Sequence, residues 1–461
     1  MRGPISTEPI NVMNRWITVF VCLVAVSCRQ NDHPGTSTAT RQSVVRIPDP
    51  RSLALVPHTG SGRVDREIIR LQNDVRAEKN VDASVERLGW AFVAKARESF
   101  DAGYYKLAEQ CALVLDSRQP HGLEAMLLRG HVLHNLHRFR EAEPMARELV
   151  ASRGLPFDFG LLSDVLMEQG KLDEAIAACQ KMVDLRPDLH SYARGAHLRW
   201  LRGNVEGAEK LMHLAADSAS PHDSESAAWV NTRLAGYEFQ LGDWSAAERS
   251  CALALEFQKD YPPALLLIGR LLLAQQKNAE AADALQRAVK LNPLPEYQWA
   301  LLEALRADRR LEEAARVETQ LRQTGATADP RTFSIYLATH GESVEAALRL
   351  AEAELNSRAD VFTHDAVAWS FAASGKFPEA QQQMALALAE GTQDARLFFH
   401  AGMIAHKSGD QSGAQRFIDR TRKLEHLLLP SEREQLYRIT VPTAQAVVTA
   451  SGMDINKQKM K

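Results

Sequence analysis

The chain has 461 residues, 45% of them hydrophobic and 25% charged, with a formal net charge of −3. That balance lies far from the polar, highly charged regime of disordered chains, and so small a charge lacks the basic footprint that nucleic-acid binding demands. Five cysteines with no CxxC pair are too few and too scattered for a disulfide framework or a zinc site.

The first element is an uncharged apolar run of eleven residues, Trp16 to Val26, preceded by Arg15 and ended by Ser27, Cys28 and Arg29. A membrane span needs about 20 apolar residues, so this run has the length and flanks of a secretory signal instead. The stretch from Ala25 to Cys28 resembles a bacterial lipobox, with Ala25 where leucine is usual. The resemblance implies a signal peptide over 1–27 and a lipid on Cys28. Arg29, in place of an aspartate, implies an outer-membrane location facing the periplasm. Met13 makes a more usual start for such a signal than Met1. Residues 28–63, rich in Ser, Thr, Pro and Arg without an apolar period, read as a flexible tether.

Next comes a helical pattern. Ile68, Ile69, Leu71 and Val75 stand at helical spacing and predict a capping helix within 64–86. One motif then recurs along the chain: a turn residue followed five positions later by alanine. The pairs are Gly103 and Ala108, His137 and Ala142, Gly170 and Ala175, Gly203 and Ala208, Gly242 and Ala247. They continue with Gln276 and Ala281, Arg309 and Ala314, Gly341 and Ala346, Gly375 and Ala380, Gly409 and Ala414. Their starts are separated by 34, 33, 33, 39, 34, 33, 32, 34 and 34 residues. Glycine accepts the left-handed conformation that ends a helix. A large residue two positions on fills the elbow, and the alanine lets a second helix lie close to the first. Ala288 then Pro293, and Met182 then Pro187, mark the second helix and its stop. Gly130, Gly269 and Gly402 supply the small residue where paired helices cross. Cys111, Cys179 and Cys251 fall midway along helices among alanines and leucines and read as buried apolar residues. Pro144, beyond the first turn of its helix, should kink it. Ser431 and Glu434, after Pro430, read as a capping box opening a rear helix within 425–461.

These residues, over 87–424, resemble the tetratricopeptide repeat family. The resemblance implies an all-α fold, a right-handed superhelical solenoid of about ten helix-turn-helix repeats. The pattern is weakest in the eighth unit, and an insertion near Ser218 to Ser226 precedes the fifth. One helix pair cannot bury its apolar face alone, so stacked neighbours should form one elongated core.

No Walker loop, GxSxG elbow, HExxH helix, EF-hand loop or dinucleotide-binding glycine pattern occurs, so no enzyme is expected. His131, His134 and His137 stand three apart, close enough on a helix for two imidazoles to chelate a metal. No acidic or cysteine ligand stands beside them, and neither metal nor cofactor is expected. The family resemblance implies that the first helix of each pair lines a concave surface where an extended peptide or partner helix lies. Transferred to this chain, it points His131, His134, His190, Arg194, His197, Trp200, Trp229, Arg233, Arg270 and Trp299 inward as partner-binding residues. The alternative, tryptophans in the core and cations on a solvated face, stays open. The family's lysine and asparagine clamp for a carboxylate-terminated peptide is absent. A second cluster, Trp369, Phe399, His400, Met403 and His406, lies in the last two units. The expected function is a non-enzymatic envelope scaffold or adaptor that binds partner proteins; the alternative is an accessory subunit of an envelope enzyme or secretion machine. Oligomeric state is not legible.

Overall fold

The structure is a computed structural model that describes residues 49–440. Every regular element among them is helical. The described chain divides into two compact units at Val132 and Leu133. The signal peptide, Cys28, most of the expected tether and the end of the tail lie outside the described residues.

The first unit holds α1 (Pro50–Ala54), α2 (Arg63–Arg76), α3 (Val81–Ser99), α4 (Gly103–Arg118) and most of α5 (Leu123–Asn135). Helix α1 lies inside the stretch expected as tether. Asp49 caps it by accepting from the Arg51 and Ser52 amides, and Gln72 Nε2 donates to the carbonyls of Ala54 and Val56 at 3.1 and 2.8 Å. Helix α2 buries Ile68, Leu71 and Val75. The α3–α4 turn departs from the repeat spacing. Phe100, not Gly103, takes the left-handed conformation at φ 55°, and Gly103 opens α4 with its amide on Asp101 Oδ1 at 2.8 Å.

The second unit begins at the end of α5 and continues as α6 (Phe139–Ser152), α7 (Pro156–Glu168), α8 (Leu172–Leu185), α9 (Leu189–Leu201) and α10 (Val205–Asp217). Then follow α11 (Ser224–Leu241), α12 (Trp244–Phe257), α13 (Pro262–Ala274), α14 (Asn278–Leu291), α15 (Pro295–Ala307) and α16 (Leu311–Ala328). The last elements are α17 (Pro330–His340), α18 (Val344–Leu355), α19 (Val361–Ala373), α20 (Phe377–Leu388), α21 (Ala395–Lys407), α22 (Gln411–Lys423) and, after a short 3-10 turn, α23 (Pro430–Thr440).

Nine turns, from His137 to Gly409, carry positive φ at the residue the spacing picks out, between 58° and 84°. The following alanines are buried in every unit but the eighth. There a second left-handed residue, Ser343, delays the helix, and Ala347 replaces Ala346 at the buried position. Helix α6 runs on through Pro144 to Ser152. The rear helix starts differently from its expected capping box. Pro430 is its first residue, Glu432 rather than Glu434 accepts from the Leu429 amide at 2.8 Å, and the Ser431 hydroxyl is turned to Glu303 at 2.6 Å.

A solenoid whose repeats touch only their neighbours would leave its inner face open. This one closes. The end of α7 meets the segment before α19: Ala359 donates its amide to the Glu168 carbonyl at 3.0 Å. The Thr392 hydroxyl donates to the Leu201 carbonyl at 2.7 Å, and His426 Nε2 meets the Phe239 carbonyl at 2.9 Å. These contacts span 191, 191 and 187 residues, so one superhelical turn rests on the next. Gly170 makes the approach possible, because a Cβ there would lie 2.4 Å from the Ala359 carbonyl oxygen. Helix α23 covers the inner ends of later units. Arg396 holds Glu432 at 2.6 Å, Gln435 donates to the Thr339 carbonyl at 3.0 Å, and Leu428, Leu429 and Leu436 are buried in the common core.

Candidate functional site

Closure of the turns leaves a chamber of about 450 Å³ inside the second unit. Its walls are the first helices of successive pairs, α9, α11, α13, α15, α17, α19 and α21, with the segments that precede them. Alternation along each first helix sends one face to its partner helix and the opposite face inward. Five residues singled out from the sequence line the chamber: His197, Trp200, Trp229, Arg233 and Arg270. Trp200 stacks on Phe362 at 5.5 Å and 17°, and its Nε1 donates to Gln240 at 2.7 Å. Arg233 lies 5.9 Å from the Tyr237 ring. Arg270 donates to the Leu427 carbonyl at 2.7 Å. Trp229 is 8% exposed, and its Nε1 has no acceptor among the described residues.

The other five go elsewhere. Trp299 is 1% exposed, under the Arg396 guanidinium at 4.8 Å, with its Nε1 on Glu303. Arg194 is held by Asp164 through two bonds of 3.0 and 2.6 Å. His134 is buried against Phe139. Burial drives its pKa down to about 4, and the Arg194 and Arg358 charges push the same way, against Asp164. His190 meets the edge of Phe157 at 5.9 Å. His131 belongs to the first unit, 5.4 Å from Trp90. Much of the second cluster is core as well: Trp369 stacks on His400 at 4.2 Å, and His400 Nδ1 meets Asp365 at 2.8 Å.

Sequence reasoning missed the opposite wall. Arg331, Arg358, Asp360, Phe362, Asp394 and Arg396 come from units eight to ten and face the earlier helices across the coil. No local signal announces a contact between residues 190 positions apart. Arg358 pairs with Glu168 at 2.5 Å and with Asp360 at 3.5 Å. Arg331 directs only Nη1 to Asp360, at 3.0 and 3.2 Å. Burial opposes the charge on Asp360, but the Arg331 and Arg358 guanidiniums outweigh it and hold the carboxyl below its usual range. Burial pushes the Glu168 and Asp394 carboxyls up. The chamber thus joins flat aromatic surface to a wall of paired arginines and carboxylates, a combination suited to holding a ligand.

A family profile described as tetratricopeptide repeat matches residues 127–190 and 266–329. The chain contains tetratricopeptide repeats. No curated protein matches the sequence. Among solved structures the repeat chain is similar to the APC/C hetero-tetramer Cut9–Hcn1, at 14% identity and a TM-score of 0.41. That likeness covers 75% of this chain and 62%, under two thirds, of the other. It is also similar to the C-terminal part of a TPR repeat-containing protein from Cytophaga hutchinsonii (17% identity, 55% and 90% covered, TM-score 0.30). A third is the human IFIT1 dimer with PPP-AAAA (12% identity, 82% and 94% covered, TM-score 0.43).

Proposed function

We propose that this tetratricopeptide repeat protein is a non-catalytic adaptor of the cell envelope, tethered by lipid on Cys28, that captures a partner protein by a short segment in the chamber. Repeats of this kind typically mediate protein–protein interaction. The observation that carries the proposal is the meeting of Trp200, Trp229, Arg233 and Arg270 around one 450 Å³ space. Trp and Arg are the side chains that most often anchor protein interfaces.

The test has two readouts. Labelling cells with an alkynyl fatty acid should tag the wild type and miss Cys28→Ser; equal labelling removes the anchor. Cross-linking mass spectrometry on envelope material should place partner cross-links at chamber-wall segments around 233–240 and 263–270. Cross-links confined to the second helices of the pairs would remove the chamber as the capture site.

A further inference from the structure

Gly236 stands in the middle of α11 and lines the chamber. A glycine within a helix costs about 1 kcal/mol relative to alanine, so its presence calls for a reason. Gly269 and Gly402 have one: a Cβ on Gly269 would lie 2.3 Å from Leu285, and one on Gly402 would lie 3.2 Å from Ile418. Gly236 has no such neighbour. A Cβ there would meet no heavy atom within 4 Å. Packing does not ask for glycine at 236; keeping the chamber clear does.

The same space holds donors without acceptors. The buried Trp229 Nε1 has none among the described residues, and Arg331 directs only Nη1 to Asp360, leaving Nε and Nη2. Burial of the Trp229 N–H without a partner is unfavourable, and Arg331, with a side chain 15% exposed, keeps donors on the chamber wall. Trp200, Phe362 and Tyr237 supply flat apolar surface beside them. A group that satisfies both features is an acceptor-rich anion on a flat body.

We infer that the chamber is a site for a carboxylate set next to an aromatic group, with Arg331 and Trp229 as its donors and Gly236 as the clearance that admits it. This deepens the reading of the chamber as the capture site and rests on it. The chemistry can arrive on an extended chain segment or as a free aromatic acid.

Calorimetric titration of the full chain tests this with two probe sets. The free set is indole-3-acetate, its neutral amide indole-3-acetamide and the cation tryptamine. The segment set is acetyl-Trp-Asp-amide and acetyl-Trp-Asn-amide. At least one acid should bind ten-fold or more tightly than its uncharged counterpart and than tryptamine. The tighter acid names the source. Gly236→Leu, whose Cβ meets no heavy atom within 4 Å and whose longer side chain occupies the clearance, should abolish that binding. Arg331→Gln should erase the preference for the acid, and Trp229→Phe, which keeps an aromatic ring and removes the N–H, should weaken binding several-fold. Equal affinities for acid and neutral probe, both lost in Gly236→Leu, would overturn the carboxylate assignment and leave the chamber standing. Acid binding that survives Gly236→Leu would overturn the chamber itself. Absence of binding by both acids would overturn the inference.

Discussion

Glu168 and Arg358 stand 190 residues apart in the chain and meet at 2.5 Å, with their side chains only 5% and 3% exposed. The pair ties the end of α7 to the segment before α19, beside the backbone bond from Ala359 to Glu168. Around it lie Asp360 and Arg331, which also line the chamber. Closure of the coil and the shape of the chamber therefore rest on the same few charges.

Replacing Arg358 with alanine leaves Glu168, Asp360 and Glu354 in a buried environment without their shared cation. Breaking a buried pair in this way costs about 3–5 kcal/mol. Glu168→Gln should cost less, because the amide keeps an oxygen to accept from Arg358 and Asp360 still faces the guanidinium. Hydrogen exchange at the Ala359 amide reports the closure directly. It should quicken markedly in Arg358→Ala and slightly in Glu168→Gln. Unchanged exchange in Arg358→Ala would mean the turns are held together by something else.

His134 gives the fold a dependence on acid. Its folded pKa is depressed, from 6.5 to about 4, by burial and by the Arg194 and Arg358 charges. Between those values the unfolded chain binds the proton and the folded one does not, so stability is present above pH 6.5 and falls as pH drops toward 4. At about 1.4 kcal/mol per unit the loss approaches 3 kcal/mol. Urea midpoints of wild type and His134→Leu, measured from pH 7 to 4.5, should diverge from each other with wild type falling faster. A constant offset across that range would contradict the assignment.

The repeat framework was legible because each turn carries its own local reason. His137, Gln276 and Arg309 take the left-handed conformation without being glycine, and the alanine after each identifies the register. Phe100 and Ser343 were not legible: one shortens a helix and the other delays one, and neither changes the 34-residue rhythm enough to show. The chamber was half legible. Periodicity turns Trp200, Trp229 and Arg270 inward, but it does not say how tightly the coil winds. Phe362 reaches Trp200, and Arg331 lines the same space, only because winding brings the later units against the earlier ones. Trp299 illustrates the converse: its helical face is that of an inward residue, yet Arg396 and α21 cover it.

Two glycines should respond to the same substitution with opposite sign. At Gly236 alanine meets open space, so the helix gains about 1 kcal/mol. At Gly269 that gain is opposed by a Cβ placed 2.3 Å from the Leu285 side chain, and overpacking of this kind costs about 1–3 kcal/mol. Thermal melting of Gly236→Ala should rise and that of Gly269→Ala should fall. Destabilisation in both would show that the space beside Gly236 is already filled.

Helix α23 can be a closing wall or a displaceable occupant of the inner face, and its contacts decide between them. Its polar bonds reach three different first helices, through Glu303, Thr339 and Arg396. Those alone would suit a segment that comes and goes. Leu436, and Leu428 and Leu429 just before the helix, do not, because all three are buried in the core shared by the later repeats. Removing a buried leucine side chain costs about 2–5 kcal/mol each, which exceeds what a neutral hydrogen bond returns, about 1 kcal/mol. The helix is therefore a wall. Ending the chain at Leu424 should lower the melting temperature and expose apolar surface, seen as aggregation or increased dye binding. Leu436→Ala should produce a smaller shift in the same direction. A truncated chain that melted like wild type and bound acidic aromatic probes more tightly would identify α23 as a displaceable segment instead.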